Sequence, residues 1–352
     1  MRVLVTGHEG YIGTVMAPLL RSAGHDVVGL DSGLFADCVF GEDPPPVPAL
    51  RKDVRDATAS DLAGFDAVIH LAAISNDPLG DLNPDCTWDV NHRASVHLAR
   101  CAKQAGVRRF LYASSCSVYG ASSPDDVLTE DAPFRPVTPY GESKVRVEED
   151  LSKLADRDFS PVHLRNATAY GVSPRLRGDL VVNNLTGWAF ATGDVYVKSD
   201  GTPWRPLVHV EDISRAFLAA LEAPREAIHD EAFNVGSPEG NHQIREVAAL
   251  VEEVVPGSRI RYAPDGGPDK RCYRVDCTKI LTRLPAYRPR WTLRAGIEEL
   301  HDAYRAHGLD QRDLEGSRYL RVRRVLELIG CGRLGEDLRW KEQELARAGV
   351  RR

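Results

Sequence analysis

Short unbroken apolar runs alternate along the first half of the chain with stretches whose apolar positions recur three or four residues apart. The runs are Val3-Leu4-Val5, Val27-Val28-Gly29-Leu30, Ala67 to Ala73 and Phe110 to Ser115. They are short enough for strands buried on both faces. Between them, Leu19-Leu20 with Ala23, then Val90, Ala94, Leu98 and Ala102, and later Val147 and Leu151, each mark one face of a helix. Gly24 stops the first helix, and Leu50 to Asp56 reads as a further strand ending in an acidic turn. Strands alternating with helices predict an α/β fold, a doubly wound parallel sheet of Rossmann type. From about Asn166 the texture changes to longer loops punctuated by Pro174, Gly178, Gly201 and Pro203, predicting a smaller mixed α/β domain. The expected boundaries are 1–168 for the first domain with 207–228 returning to it, 169–206 and 229–310 for the second, and 311–352 as a C-terminal helical extension. In that extension Leu320, Val325, Leu326 and Ile329 stand among many arginines, the pattern of a docking helix with a solvated basic face.

Candidate chemistry begins where the first strand meets Gly7-x-x-Gly10-x-x-Gly13, with Tyr11 and Ile12 between the last two glycines. Glycines at the start of a helix let a pyrophosphate sit against helical N–H groups without a Cβ in the way. Asp31 ends the second strand about twenty residues on, where a carboxylate accepts from an adenosine ribose. No Arg or Lys follows it directly, so NAD is expected rather than NADP. The small pair Ala72-Ala73 after Leu71 lets backbone approach the same cofactor. The proline-rich loop Pro44 to Pro48 is expected to skirt its adenosine end, and the polar loop from Ser75 to Pro84 to face a substrate.

Composition narrows the classes. The 352 residues are 43% apolar and 27% charged, enough for a sizeable core, and the formal net charge of −6 argues against broad nucleic-acid or anionic-membrane binding. A local group of arginines can still hold a phosphate. The seven cysteines are odd in number and form no C-x-x-C pair, which predicts free thiols, a reducing compartment and no metal site. No stretch of 18 apolar residues offers a membrane span, and the first strand begins at Arg2, so a cytoplasmic protein is expected.

Tyr140 and Lys144 stand four apart at the start of a predicted helix and so project from one face. A lysine cation beside a tyrosine favours the phenolate and brings a poor base toward working pH. Ser115, at the end of a neighbouring strand, can donate a hydrogen bond to the same reacting oxygen.

With these residues in place, the chain resembles the extended short-chain dehydrogenase/reductases, in their nucleotide-sugar epimerase and dehydratase branch. The resemblance runs through Thr6 to Gly13, Asp31, Asp53 to Asp56, His70 to Ala73, Ser114 to Gly120, Pro139 to Lys144, Gly201 to Asp212 and Phe233 to Gly236. It implies a retained NAD, Tyr140 as base, Lys144 also on the nicotinamide ribose, Ser115 as helper, Asp53 and Val54 near the adenine, and Asn91 in support. Dehydratases of the family carry Asp-Glu after the serine, and related decarboxylases keep the Glu. Here Cys116 and Ser117 occupy those positions, which favours a 4-epimerase working through a transient 4-keto sugar. Cys116 keeps open a cysteine acid/base, against the plainer reading of a packing thiol. The alternatives are an NAD(P)-dependent 4-keto-sugar reductase and a non-catalytic NAD-binding protein. The substrate, a nucleoside-diphosphate sugar, is expected on Ser75, Cys116, Ser117, Asn166, Asn184, Leu185, Arg205, Asp269 and Arg271, although Gly266 and Gly267 stand where some epimerases carry an arginine. Arg175 and Arg177 are expected either on phosphate or a sugar carboxylate, or at the surface. A homodimer through the helices near Val90 to Ala102 and Tyr140 to Leu151 completes the expectation.

Overall fold

The computed structural model describes residues 1–75, 80, 82–123, 126–264 and 272–341. Fourteen strands are described: β1 (Arg2–Thr6), β2 (Asp26–Asp31), β3 (Ala49–Arg51), β4 (Ala67–His70), β5 (Arg109–Ser115), β6 (Val127–Leu128), β7 (Ser160–Asn166), β8 (Thr168–Tyr170), β9 (Asp194–Val197), β10 (Trp204–His209), β11 (Glu231–Val235), β12 (Asn241–Gln243), β13 (Arg259–Tyr262) and β14 (Arg274–Val275). Seven of them form one parallel sheet in the order β11-β7-β5-β4-β1-β2-β3. The chain runs outward from β1 to β3, then restarts at β4 on the other side of β1. The strand order therefore reverses between β1 and β4, and a crevice opens there at the carboxyl ends. Val3, Leu4 and Val5 of β1 and Ala67, Val68 and Ile69 of β4 are fully buried, as a sheet covered on both faces requires.

The longer helices are α1 (Gly13–Ser22), α2 (Ala94–Gln104), α3 (Pro139–Ser152), α4 (Val181–Thr192), α5 (Val210–Glu222), α6 (Ile244–Val254), α7 (Leu293–His307) and α8 (Arg321–Gly330). One face of the sheet packs on α1 and α5 through Met16, Leu20, Ile213 and Phe217, the other on α2 and α3 through Leu98, Ala102, Val147 and Leu151. A separate core of Val182, Leu185, Val247, Val251, Ile297 and Tyr304 joins α4, α6 and α7.

Two sequence expectations change. Of the segment 207–228, α5 returns to the large sheet but β10 does not: it pairs parallel with β8 and antiparallel with β12 in a three-stranded sheet. Conversely β11, assigned from the sequence to the second domain, is the edge strand of the large sheet, paired with β7, with Phe233 and Val235 fully buried. A short apolar run says that a strand is buried without saying in which sheet. The C-terminal segment does dock as a helix. Val325, Leu328, Leu334 and Leu338 cluster with Ile74 and Cys86, and Leu334 bridges to Trp340.

Candidate active site

The glycine turn is built by its own backbone. Gly7 adopts φ +72°, and a Cβ there would lie 2.8 Å from the Ala72 nitrogen. A Cβ on Gly13 would lie 2.3 Å from the Gly7 oxygen and 2.5 Å from the His8 Cα, so this glycine lets α1 sit directly on the loop. Gly10 is different: its Cβ would meet only the Gly7 oxygen, at 3.1 Å, with nothing else near. Gly10 therefore leaves its face open at the start of α1. Gly7 and Gly13 are demanded by protein packing.

Around this turn lies a cleft of about 1190 Å3, open solvent at its mouth included, and Gly7, Gly10, Tyr11, Ile12, Gly13, Asp31, Asp53, Val54, Leu71, Ala72, Ala73 and Ser75 all border it. Asp31 accepts from the Gly33 N–H at 2.7 Å and from the Glu9 N–H at 3.1 Å, which fixes its carboxylate at the end of β2. Arg51 lies opposite Asp31 in the β2–β3 register, a cation the sequence reading does not anticipate there. It is paired with Glu9 at 2.6 Å and so is already compensated. Tyr11 borders the cleft, but its hydroxyl donates to the Gly171 carbonyl at 2.7 Å and is not available to a ligand. Asp53 caps the short turn Val54–Asp56 and binds Arg55 at 2.7 Å. Burial opposes ionisation of Asp53, and the Arg55 pair overrides it, holding the carboxyl below the usual range.

His70, at the end of β4, is locked between the Thr6 hydroxyl (2.6 Å from Nδ1) and the Ser95 hydroxyl (2.7 Å from Nε2). Burial, with Lys144 adding repulsion, pushes its protonation down to about 3 from 6.5. Between those values the unfolded chain binds the extra proton. Stability present above pH 6.5 is therefore lost as pH falls toward 3, at up to about 1.4 kcal/mol per pH unit. Urea unfolding at pH 7, 5.5 and 4 is expected to show this slope, and His70→Gln to flatten it. An unchanged slope in the variant would place the acid sensitivity elsewhere.

The catalytic candidates stand on β5 and α3, across β4 from the crevice. Thr138 caps α3 by accepting from the Gly141 N–H, with Pro139 in the first turn, so the helix begins where Tyr140 and Lys144 need it. Lys144 is buried and donates to the Ala113 carbonyl of β5 at 2.7 Å. Its ammonium lies 4.7 Å from the Tyr112 ring centroid and 5.6 Å from that of Tyr140. Burial pushes the ammonium down to about 7, with Glu148 opposing. Glu148 itself is held by Arg165 at 2.7 Å and by the Ser114 hydroxyl. Ser115 ends β5 opposite Asn166 of β7, and its Oγ accepts from the Ser117 N–H at 3.1 Å. Beside it, Ser117 Oγ and Asn166 Oδ1 are buried without a partner among the described residues. Such orphaned atoms cost about 1–3 kcal/mol each unless a ligand completes them.

Ser115, Tyr140 and Lys144 do not border the cleft around the glycine turn, which ends toward them at Leu71 to Ser75, Ala169 and Arg177. Arg177 is buried, binds Asp179 at 2.7 Å and donates to Ser75 Oγ at 3.1 Å. Arg175 is buried as well, so neither arginine merely covers the surface. The substrate candidates Cys116, Asn184, Leu185 and Arg205 do not border the cleft around the glycine turn. Cys116 is fully buried in the core with its thiol on the Arg165 carbonyl at 3.1 Å, and burial pushes that thiol far up, which removes it as an acid/base or a substrate contact. Leu185 packs in the second core, Asn184 donates to the Gly178 carbonyl, and Arg205 is buried with one nitrogen on the Trp204 carbonyl. Asp269 and Arg271 lie outside the described residues. Sequence reasoning missed Lys52, Phe35, Val90, Arg321, Val325 and Leu338 as cleft residues. The last three come from the extension, where no motif announces them. Among the described residues no group of His, Cys, Asp and Glu is arranged to hold a metal, and no helix is long and apolar enough to cross a membrane.

Residues 3–236 match the sequence model of the NAD dependent epimerase/dehydratase family. The UDP-glucose 4-epimerase of Mycolicibacterium smegmatis is 31% identical over 316 residues, covering 87% of this chain and 99% of that protein. The Corynebacterium glutamicum UDP-glucose 4-epimerase is 31% identical over 270 residues, covering 72% and 80%. Among solved structures, MoeE5 in complex with UDP-glucuronic acid and NAD superposes with a TM-score of 0.76 at 29% identity, over 87% of this chain and 99% of that one. The Thermus thermophilus UDP-glucose 4-epimerase complex with NAD gives 0.74 at 26%, with the same coverage.

Proposed function

The chain belongs to the NAD-dependent epimerase/dehydratase family, and from that premise we propose that it interconverts a nucleoside-diphosphate hexose and its 4-epimer through a 4-keto sugar. The observation that carries the reading is the buried Lys144 ammonium 5.6 Å from the Tyr140 ring, held on the Ala113 carbonyl of β5. The residues present fit NAD. Gly10 leaves an open face at the start of α1, and the Asp31 carboxylate is fixed at the end of β2 with lone pairs to spare for a ribose diol. An anionic Asp31, with Arg51 neutralised by Glu9, disfavours a 2′-phosphate. When bound, NAD supplies the hydride acceptor and returns the hydride at the end of the cycle.

The chain's own residues handle the proton and the orientation. Tyr140 takes the proton of the sugar 4-hydroxyl, and the Lys144 cation favours the phenolate that does so. Ser115 accepts from the Ser117 N–H, which directs its own hydrogen outward to the same sugar oxygen. Ser117 Oγ and Asn166 Oδ1 offer the sugar a donor-acceptor edge. Elimination of water has no carboxylate at 116 or 117 to carry its proton, which favours epimerisation over dehydration. Relatives named UDP-glucose 4-epimerase, and neighbours holding UDP-glucuronic acid or UDP-glucose, support a uridine diphosphate sugar. We place the diphosphate on Arg177, with Ser75 beside it. The same reading includes a cytoplasmic homodimer paired through α2 and α3, supported by these two helices lying side by side on one face of the sheet.

The test is to incubate the purified protein with UDP-glucose and no added nicotinamide cofactor, following product by NMR and NADH by absorbance. UDP-galactose forming without net NADH is the expected result. Stoichiometric NADH would convert the reading to an oxidoreductase, and NAD binding with no nucleotide-sugar binding to a non-catalytic protein.

A further inference from the structure

The C-terminal segment runs along the cleft and ties itself to the loops after β2 and β3. Trp340 donates to the Ser32 carbonyl at 2.7 Å, Arg339 binds Asp56 at 2.6 Å, and Arg55 donates to the Asp337 carbonyl at 2.7 Å. Val325 and Leu338 line the cleft from this side, and so does Arg321, the first residue of α8. The sequence pattern puts the arginines of this helix in solvent, yet Arg321 is only 4% exposed. One of its terminal nitrogens donates to the Arg175 carbonyl at 2.7 Å, and its guanidinium lies 4.3 Å from the Phe35 ring centroid. The other, Nη1, is buried with no partner among the described residues.

The charge balance around it is incomplete. Arg177 has Asp179 and Arg175 has Asp43, but no carboxylate pairs with Arg321 among the described residues. Cys38, the acid beside it, is a thiol that burial pushes up, so it brings no negative charge. Burial, with the neighbouring Arg177 adding repulsion and Asp179 opposing it, depresses the Arg321 guanidinium to about 10. A buried cation without a counter-charge is strongly unfavourable, and one that borders a cleft invites an anion.

The position says which anion. The Arg175 N–H donates to Ser173 Oγ, and that hydroxyl donates to the Tyr11 carbonyl and lies 3.0 Å from Thr14 Oγ1. Arg321 is thereby linked, through Arg175 and Ser173, to the start of α1, and it borders the same cleft as the glycine turn. We propose that α8 supplies Arg321 as a ligand of the dinucleotide's pyrophosphate, and that the C-terminal segment closes the cleft behind the cofactor so that it is retained between turnovers. This inference rests on the NAD-dependent reading above and adds to it a residue and a segment outside the family match at 3–236.

The test measures NAD release from the full-length protein, by rapid gel filtration and assay of the freed nucleotide, for wild type, Arg321→Met and Arg321→Lys. Loss of one charge-assisted contact is expected to speed release about tenfold or more in Arg321→Met, with Arg321→Lys between. KM for the nucleotide sugar at saturating NAD is expected to stay unchanged. On the wild-type chain, hydrogen exchange at 321–330 is expected to slow when NAD is added back to stripped protein. Equal release rates in wild type and Arg321→Met, or exchange at 321–330 indifferent to NAD, overturn the proposal. A raised KM with unchanged NAD release overturns it in favour of a substrate phosphate. A wild-type chain that binds no NAD at all overturns the functional reading, and this inference with it.

Discussion

Replacing Tyr140 by phenylalanine is expected to lower kcat by about a thousandfold while NAD remains in the purified variant. The substitution removes one oxygen and nothing else of the ring. Lys144 keeps its hydrogen bond to the Ala113 carbonyl and its position over Tyr112, because neither contact involves the phenol. The start of α3 also stands, since its cap belongs to Thr138 and its seat against the turn after Ser115 to Gly141. What disappears is the proton acceptor whose ionised form the Lys144 cation favours. Without it the sugar hydroxyl must lose its proton to solvent in a site built to hold a sugar, which is why the loss falls on kcat rather than on NAD affinity. Turnover within a factor of a few of wild type would show that the proton goes elsewhere.

The residues legible in the sequence are those whose role is fixed by near neighbours along the chain. The glycine turn, Asp31 at a strand end, Tyr140 with Lys144 one turn on, and Ala72-Ala73 all follow from local spacing; the turn, Asp31 and the alanine pair border the crevice at the reversal of strand order, and Tyr140 and Lys144 lie beside β5. The expectations that failed depend on what lies across space. Cys116 follows Ser115 directly, but the short turn that starts at Cys116 after β5 buries it, with its thiol on the Arg165 carbonyl of β7. Leu185 and Arg205 sit in segments similar to the family's, and spacing along the chain does not say that the Leu185 side chain packs in the second core or that one Arg205 nitrogen meets the Trp204 carbonyl. Arg51 is silent because its neighbour across the sheet, and its partner Glu9, are distant in sequence. Arg321 reads with its helix as solvated, since an amphipathic pattern cannot say that one arginine of a basic face meets Phe35 and Arg175 instead of water.

Two alanine substitutions, Gly13→Ala and Gly10→Ala, are expected to separate the fold of the glycine turn from its binding surface. At Gly13 the new Cβ would lie 2.3 Å from the Gly7 oxygen, 2.5 Å from the His8 Cα and 2.7 Å from the His8 carbonyl carbon. Every one of these is backbone of the turn itself, so no side chain can swing away to relieve the overlap. Either α1 lifts from the loop or the loop opens. Overpacking of this kind costs about 1–3 kcal/mol and sometimes more. It also dislodges the helical N–H groups that a pyrophosphate would use, so Gly13→Ala is expected to lose both a large part of its stability and all measurable NAD at micromolar cofactor. At Gly10 the only neighbour is the Gly7 oxygen at 3.1 Å, a tight contact that a shift of a few tenths of an ångström relieves. Gly10→Ala is therefore expected to unfold within about 1 kcal/mol of wild type while its methyl group projects toward the cofactor and weakens NAD binding at least about tenfold. Urea unfolding and NAD titration on both variants read the two effects separately. Gly13→Ala as stable as wild type would mean that α1 is not seated on the turn as the backbone distances require, and undiminished NAD affinity in Gly10→Ala would remove the turn's open face from the cofactor site.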